Sequence, residues 1–327
     1  MTLSQHAMSV GRAVDPIYVD YSIFSTLLTC EEKARLSYVE HLRSIDEPLS
    51  LGFGAAFHAG VESYWRSGTV QDARAGFLTE IKRRGTALPI SMDADEKRSV
   101  ERGIYLLECY IEKYQGETYE VMRRPDDGKP YVELGFAVHF MDWKDQPVHY
   151  VGKIDSVKRS LVDGRVRNFE LKTTSLGLSR YLEQVRPNHQ VTGYFLGAKS
   201  LGLDPAGTIW DCVYISDRKP DPKKGGWMTF GIDSEKDFGR RETRRSEVDV
   251  DEFLTDLRYA TTRFLSLRDS KLRRWTRNAP AACYMYGGCQ YLEVCATNLN
   301  ENIIRSKFKV EKWAPWEGII NREVMKA

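Results

Sequence analysis

Two groups of residues in this 327-residue chain have types and spacings suited to chemistry. The first is Glu170 and Lys172 in VRNFELKTT, preceded by Asp155 in GKID with fourteen residues between the two carboxylates. Residues two apart on a strand share a face, so Glu170 and Lys172 lie together while Phe169 and Leu171 face the other way. If GKID sits on the neighbouring strand of a hairpin, two carboxylates and one ammonium meet at a single point on a sheet. Converging carboxylates repel unless a cation lies between them, and a hard divalent ion meets that need while leaving positions for water and phosphate. A lysine beside it can stabilise charge developing on a phosphate or help deprotonate an attacking water. Alone, Glu-x-Lys is most often a solvated ion pair. The upstream GKID is what lifts this one above that reading.

The second group is CYMYGGCQYLEVC, residues 283–295, which places three of the six cysteines within thirteen residues. The first twenty residues lack the continuous apolar core of a signal peptide, which points to a reducing, cytoplasmic setting. There, metal or catalytic roles outrank disulfides. Three thiolates at regular spacing read as metal ligands, but a closed site needs a fourth. Unpaired buried thiols are the plain alternative, and Cys109 and Cys212 fit that description.

The elements that must position these groups follow from periodicity. Residues 1–20 read as a loose N-terminus, and a helix opens at Tyr21–Ser22 with Ser22 as its cap and continues through Cys30 over IFSTLLTCEEKARLSYVEHL. GFGAAFHAGVESYWRSG forms a second helix, placing His58 and Glu62 one turn apart on one face. A polar helix pair covers roughly 70–115. YVELGFAVHFM alternates as a strand, with Val132, Leu134, Phe136, Val138 and Phe140 on one side. VHYVGKIDSVKR and VRNFELKTT follow as strands joined at the Asp163–Gly164 turn. A helix over 178–200 meets Pro187, GTIWDCVYIS and WMTFGID read as further strands, and a long helix runs over 250–277. On the 178–200 helix Gln190 and Tyr194 stand four apart beside apolar Val191 and Phe195, open to contacts with a phosphate or to capping the sheet. The order implies an α/β domain around a mixed sheet over 21–300, with a C-terminal extension over 301–327.

Composition excludes other classes. The formal charge is only +2, so nucleic-acid binding must come from local patches. No run approaches eighteen apolar residues, so nothing spans a membrane. Residues 258–277 carry seven Lys or Arg against one Asp, a candidate phosphate track, with Trp275, Tyr284, Tyr286 and Tyr291 available to stack bases. A solvated helix face is the equal alternative. KPDPKKGGW, 219–227, reads as a basic hairpin tip.

In order, YSIFSTLLTCEEKARLSYV, GFGAAFHAG, GKIDSV, FELKTT, QVTGYF and the cysteine trio resemble the RecB-like branch of the PD-(D/E)xK nuclease superfamily, over about residues 21–295. Within it the chain is most similar to the iron–sulfur exonucleases, which include CRISPR-associated four-cysteine nucleases, the AddB nuclease domain and phage-encoded relatives. The resemblance implies a restriction-endonuclease-like fold. It implies Mg²⁺ or Mn²⁺ held by His58, Asp155 and Glu170 with help from a backbone carbonyl near Phe169–Leu171, and Lys172 positioning or activating water. Gln190 and Tyr194 match an auxiliary motif thought to help bind the DNA strand. Glu133 matches an acidic position that in some relatives holds a second metal, or else is a strand carboxylate. It further implies that Cys30, Cys283, Cys289 and Cys295 hold one [4Fe–4S] cluster, closing a loop of over 250 residues. The C-x5-C-x5-C spacing here departs from the C-x2-C-x5-C of many relatives, which leaves zinc as the alternative. The implied activity is exonucleolytic hydrolysis of DNA, single-stranded by preference, with a recombination, repair or CRISPR protein as the kind of partner. A nuclease-fold DNA-binding partner without turnover and a four-cysteine zinc protein are the competing readings.

Overall fold

The computed structural model describes residues 15–91, 97–285 and 288–320. Along the chain these form β1 (Ile17–Asp20), α1 (Tyr21–Thr29), α2 (Glu31–Tyr38), β2 (Leu42–Ser44), α3 (Leu49–Ser67), α4 (Val70–Arg84) and α5 (Val100–Tyr114). Next come β3 (Tyr119–Val121), β4 (Val132–Trp143), β5 (Gln146–Ser160), β6 (Val166–Thr174), α6 (Leu178–Leu182), α7 (His189–Ser200) and β7 (Pro205–Tyr214). The chain closes with α8 (Ser234–Asp237), β8 (Phe238–Thr243), α9 (Glu247–Asp269), α10 (Leu292–Ala296), α11 (Glu301–Lys307), β9 (Phe308–Val310) and α12 (Glu317–Ile320). The result is a mixed sheet flanked by helices, the restriction-endonuclease-like class expected.

β5 is the spine of the sheet. One edge carries antiparallel β4 and then β3. The other carries parallel β1 at Val148–Val151 and antiparallel β6 at Ser156–Arg159, and β7 and β8 continue outward from β6. The hairpin joining β5 to β6 turns at Gly164, whose φ of +68° suits the residue that lacks a Cβ. On one face Phe136, Tyr150 and Tyr194 pack with Phe253 and Leu257 of α9. On the other, Leu171 and Val213 meet Phe53, Phe57, Phe77 and Tyr110 from α3, α4 and α5.

Several boundaries differ from the sequence reading. Residues 17–20 are not loose, because they pair with β5, and Asp20 rather than Ser22 caps α1 by accepting the Ile23 N–H at 2.8 Å. The helix expected through Cys30 breaks there: Cys30 is extended (φ −164°), and α2 restarts with Glu31 and Glu32 in its first turn, where the helix dipole favours anions. The alternation of β4 slips at a bulge between His139 and Met141. The 178–200 helix divides into α6, a 3₁₀ turn at Glu183–Val185, and α7, while α9 ends at Asp269. WMTFGID is not a strand. Gly226–Phe230 is a 3₁₀ turn that stacks the Phe230 ring on Tyr105 at 3.8 Å, and the outer strand is β8 instead. Nor is 219–227 a hairpin tip, since Pro222–Lys224 is another 3₁₀ turn capped by Asp221. Beyond residue 300, β9 pairs with β2 and the Trp313 indole donates to Asp20 at 2.8 Å, so this extension is docked onto the domain.

α7 approaches the sheet through glycines. A Cβ on Gly193 would run into Tyr150, and one on Gly197 into the Phe136 ring. Because that ring is boxed in by the core, Gly197→Ala is expected to destabilise the protein by about 1–3 kcal/mol through overpacking. Urea unfolding measures this, and an unchanged midpoint would contradict the packing described.

Candidate active site

The site lies where β5 and β6 part. They are paired from Ser156↔Phe169 outward to Arg159↔Val166, but inward of Ser156 that edge of β5 has no strand partner until β1 begins at Val151. Into this gap Asp155 turns its side chain, and Oδ2 accepts the Leu171 N–H at 2.8 Å. A side chain thereby satisfies a backbone donor that a neighbouring strand would otherwise take. Glu170 is 1% exposed, with Oε1 ion-paired to the Lys172 ammonium and Oε2 buried without a partner among the described residues. The Lys172 ammonium also stands 5.6 Å from the centroid of the Trp210 ring on β7.

α3 brings in His58, with Nδ1 3.7 Å from Asp155 Oδ2. One turn earlier is Gly54, where a Cβ would come within 2.8 Å of Thr173 Oγ1 on β6, so a glycine is what lets the helix lie this close. Glu133 has the left-handed φ of +55°, rare in a non-glycine residue and a mark of local strain. Its carboxylate pairs with the Lys153 ammonium, and its charge bears on Glu62. Gln190 Nε2 donates to the Tyr194 hydroxyl at 2.8 Å, and that hydroxyl lies close enough to Glu170 and Asp155 for their charge to oppose its ionisation, after burial itself.

The electrostatics are those of clustered carboxylates short of positive charge. Burial, then the charge of Glu133, pushes Asp155 up to about 7 against the opposing pull of Lys172. Burial and then Asp155 raise Glu170 to about 7, and burial with Glu133 and Asp155 raises Glu62 to about 8. Burial works against the charge on Lys172, yet Glu170 and Asp155 outweigh it and hold the ammonium protonated. Burial and then Lys172 depress His58 to about 4, so its imidazole is neutral near pH 7 and keeps a free lone pair. Among the described residues, no three His, Cys, Asp or Glu side chains stand at ion-holding distance as they are. The donor chemistry nevertheless fits a hard divalent ion: two carboxylates, a neutral imidazole, and an orphaned buried oxygen on Glu170.

A family model described as the PD-(D/E)XK nuclease superfamily matches residues 21–296. The chain belongs to that superfamily. It is a nuclease, and enzymes of this superfamily usually work with divalent metals such as Mg²⁺ or Mn²⁺. A comparison with curated proteins gives no match. One solved structure with a matching chain is described as "Crystal Structure of LHK-Exo in complex with dAMP"; the match is 11% identical, covers 68% of this chain and 93% of that one, and has a TM-score of 0.29, too slight a likeness to carry an argument.

Of the residues picked out in the sequence, the nuclease thus brings His58, Asp155, Glu170, Lys172, Glu133, Gln190 and Tyr194 into one neighbourhood. Sequence reasoning placed Glu62 on one helical face with His58 without giving it a role, and passed over Lys153. Both signals were present: Lys153 precedes Asp155 by two on the same strand, and Glu62 follows His58 by four on the same helix.

Four cysteines of the nuclease lie in two chain regions away from this site, and as they stand no three of them are at ion-holding distance. Cys30 sits at the α1–α2 break, Cys283 ends a 3₁₀ turn, Cys289 donates its N–H to Cys283 O at 2.8 Å, and Cys295 lies in α10. Burial raises the Cys295 thiol to about 11, with Glu32, Cys289 and Cys30 adding to it; burial also raises Cys289, to which Cys30 and Cys283 add. Each of the four therefore lies within electrostatic reach of another. Trp275 N–H to Glu32 (2.8 Å) and Glu32 N–H to Thr276 O (3.0 Å) tie the two chain regions together. The proposed base-stacking aromatics fare differently. Trp275 and Tyr291 are buried, Tyr284 is exposed, and Tyr286 lies outside the described residues. In the basic segment, Arg258 is bound to Phe140 O, Arg263 to Glu31 and Arg268 to Asp269, which leaves less of a phosphate track than the sequence implies. No helix among the described residues is long and apolar enough to cross a membrane.

The raised carboxyl of Asp155 has a consequence for stability without metal. Between about pH 4 and 7 the folded state keeps a proton that the unfolded chain has lost, so stability falls as pH rises through that window and then levels. Asp155→Asn keeps the acceptor for Leu171 N–H but removes the charge. In chelator, its thermal midpoint should exceed the parent's at pH 8 by several degrees, a gap that grows from pH 4 to 7. A gap that is absent or reversed at pH 8 would contradict the electrostatics described.

Proposed function

We propose that this nuclease is a Mg²⁺- or Mn²⁺-dependent exonuclease acting preferentially on single-stranded DNA. The observation that carries the reading is the orphaned Glu170 oxygen beside Asp155 at the strand fork, with Lys172 on the same strand face. His58, Asp155 and Glu170 would hold the ion, and Glu133 would contribute to a second site. The bound ion supplies a polarised phosphate and a water of lowered pKa. Lys172 orients that water and stabilises charge on the phosphoryl oxygens. Gln190 and Tyr194 contact the strand from α7. Lys172→Ala is expected to reduce Mn²⁺-dependent degradation of end-labelled single-stranded DNA by about 100-fold or more while leaving circular dichroism unchanged. Undiminished degradation would remove the assignment.

Cys30, Cys283, Cys289 and Cys295 are proposed to hold a [4Fe–4S] cluster that staples the C-terminal region to the first helix pair. The hydrogen bonds that tie Glu32, beside Cys30, to Trp275 and Thr276, and Cys289 to Cys283, bring the two cysteine-bearing regions together and support a four-thiolate centre. Anaerobically purified protein should be brown and carry about four irons per chain, and Cys30→Ser should lose iron and solubility together. Full iron content in that variant would exclude Cys30 as a ligand, and stoichiometric zinc in colourless protein would replace iron in the account.

A further inference from the structure

A cavity of about 1100 Å³ runs from His58 and Lys172 past Arg98 to a wall formed by Arg43 and Trp313, beside Gln290 of the cysteine loop. Most cations along it are already engaged: Arg84 with Glu47, Lys309 with Glu311, and Arg98 with Ser175. Arg43 is not. Its guanidinium carbon lies 4.8 Å from the Trp313 ring centroid and 5.4 Å from that of Tyr38, and among the described residues it makes no hydrogen bond. One of its terminal nitrogens is buried and unpartnered. Buried donors without acceptors are costly, and a guanidinium held by two rings presents its cavity-facing N–H groups in a fixed direction suited to a phosphate. Glu311, a carboxylate that feels its charge, is ion-paired with Lys309.

The backbone beneath Arg43 is held as firmly as its side chain. Arg43 is the middle residue of β2, paired with Lys309 of β9, and the Tyr291 hydroxyl donates to Leu42 O at 2.7 Å. Tyr291 lies between Cys289 and Cys295, so the cysteine loop braces the strand that carries the free guanidinium.

We propose that Arg43 is the phosphate clamp of a distal subsite: a DNA strand whose scissile phosphate lies at Lys172 follows the cavity and sets a second phosphodiester on the Arg43 fork. The proposal rests on the single-strand nuclease reading above and adds where the strand goes and what the cysteine region does for it. Arg43 binds and positions the strand without touching the reacting atoms.

The test is fluorescence anisotropy of a labelled single-stranded oligonucleotide with Ca²⁺, over a salt series, using full-length protein in a Lys172→Ala background to prevent cleavage. Arg43→Gln should weaken binding roughly 5- to 30-fold at low salt, and the slope of log affinity against log salt should shallow by about 0.7, the value for one single-strand phosphate contact. Arg43→Lys should keep the slope and lose only part of the affinity. In the cleaving background, Arg43→Gln should raise KM more than it lowers kcat. Equal affinity and slope for folded Arg43→Gln and its parent would overturn the subsite, as would a loss in Arg43→Lys equal to that in Arg43→Gln. Wild-type protein that cleaves single-stranded DNA alongside such results would leave the nuclease reading standing; wild-type protein that neither binds nor cleaves it would defeat both.

Discussion

The hydrogen bond from the Leu171 amide to Asp155 Oδ2, 2.8 Å long, is the constraint on which the site depends. An interstrand ladder has no room for a carboxylate unless the strands part, and here they part between Val151 and Ser156 of the spine strand. Once Asp155 takes that donor, Glu170 and Lys172 are fixed on either side of Leu171, on one face. Leu171 itself is locked into the helical layer behind the sheet. Register and core packing together place two acids within reach of each other at a depth where neither ionises readily. Such an arrangement lowers stability at neutral pH, and its retention makes sense where a cation offsets the charge.

The surroundings serve that point. Gly54 lets α3 lie against β6 so that His58 reaches the fork, and Gly193 and Gly197 let α7 lie against β4 and β5 so that Tyr194 does. The cysteine region works at a longer distance. Glu32 receives Trp275 and Tyr291 reaches Ser37 and Leu42, so segments some 250 residues apart in sequence share one small core with Leu36, Val294 and Phe308. A centre that closes so long a loop adds little further loop-closure cost, since that cost grows only with the logarithm of length. The centre proposed for Cys30, Cys283, Cys289 and Cys295 would act geometrically, by bracing the wall of the cleft in which Arg43 stands.

Much of this was legible in the chain. Alternation marked β4, β5 and β6, the Asp163–Gly164 turn joined the last two, and the spacing of Asp155, Glu170 and Lys172 pointed to one face of one hairpin. What escaped had physical reasons. WMTFGID has strand-like composition, but three positive-φ glycines, Gly225, Gly226 and Gly231, and the Phe230–Tyr105 stack curl it into a 3₁₀ turn. The strand at Ile17–Asp20 is four residues long and gains its place from β5 alone, a tertiary effect that no local pattern records. Lys153 and Glu62 were visible in type and spacing, but their meeting depends on the left-handed backbone of Glu133, which sequence does not announce. Likewise, an unpartnered arginine looks like any other until its neighbours are known.

The account's central claim is that Asp155 and Glu170 share a cation at the strand fork. Calorimetric titration of Mn²⁺ into the protein without DNA, repeated near pH 6.5 in buffers of different ionisation enthalpy, measures this through binding and the protons it displaces. The account predicts binding that releases between one and two protons per ion and disappears in the Asp155→Asn, Glu170→Gln double variant. Binding with no proton release, or equal binding by the double variant, would contradict it.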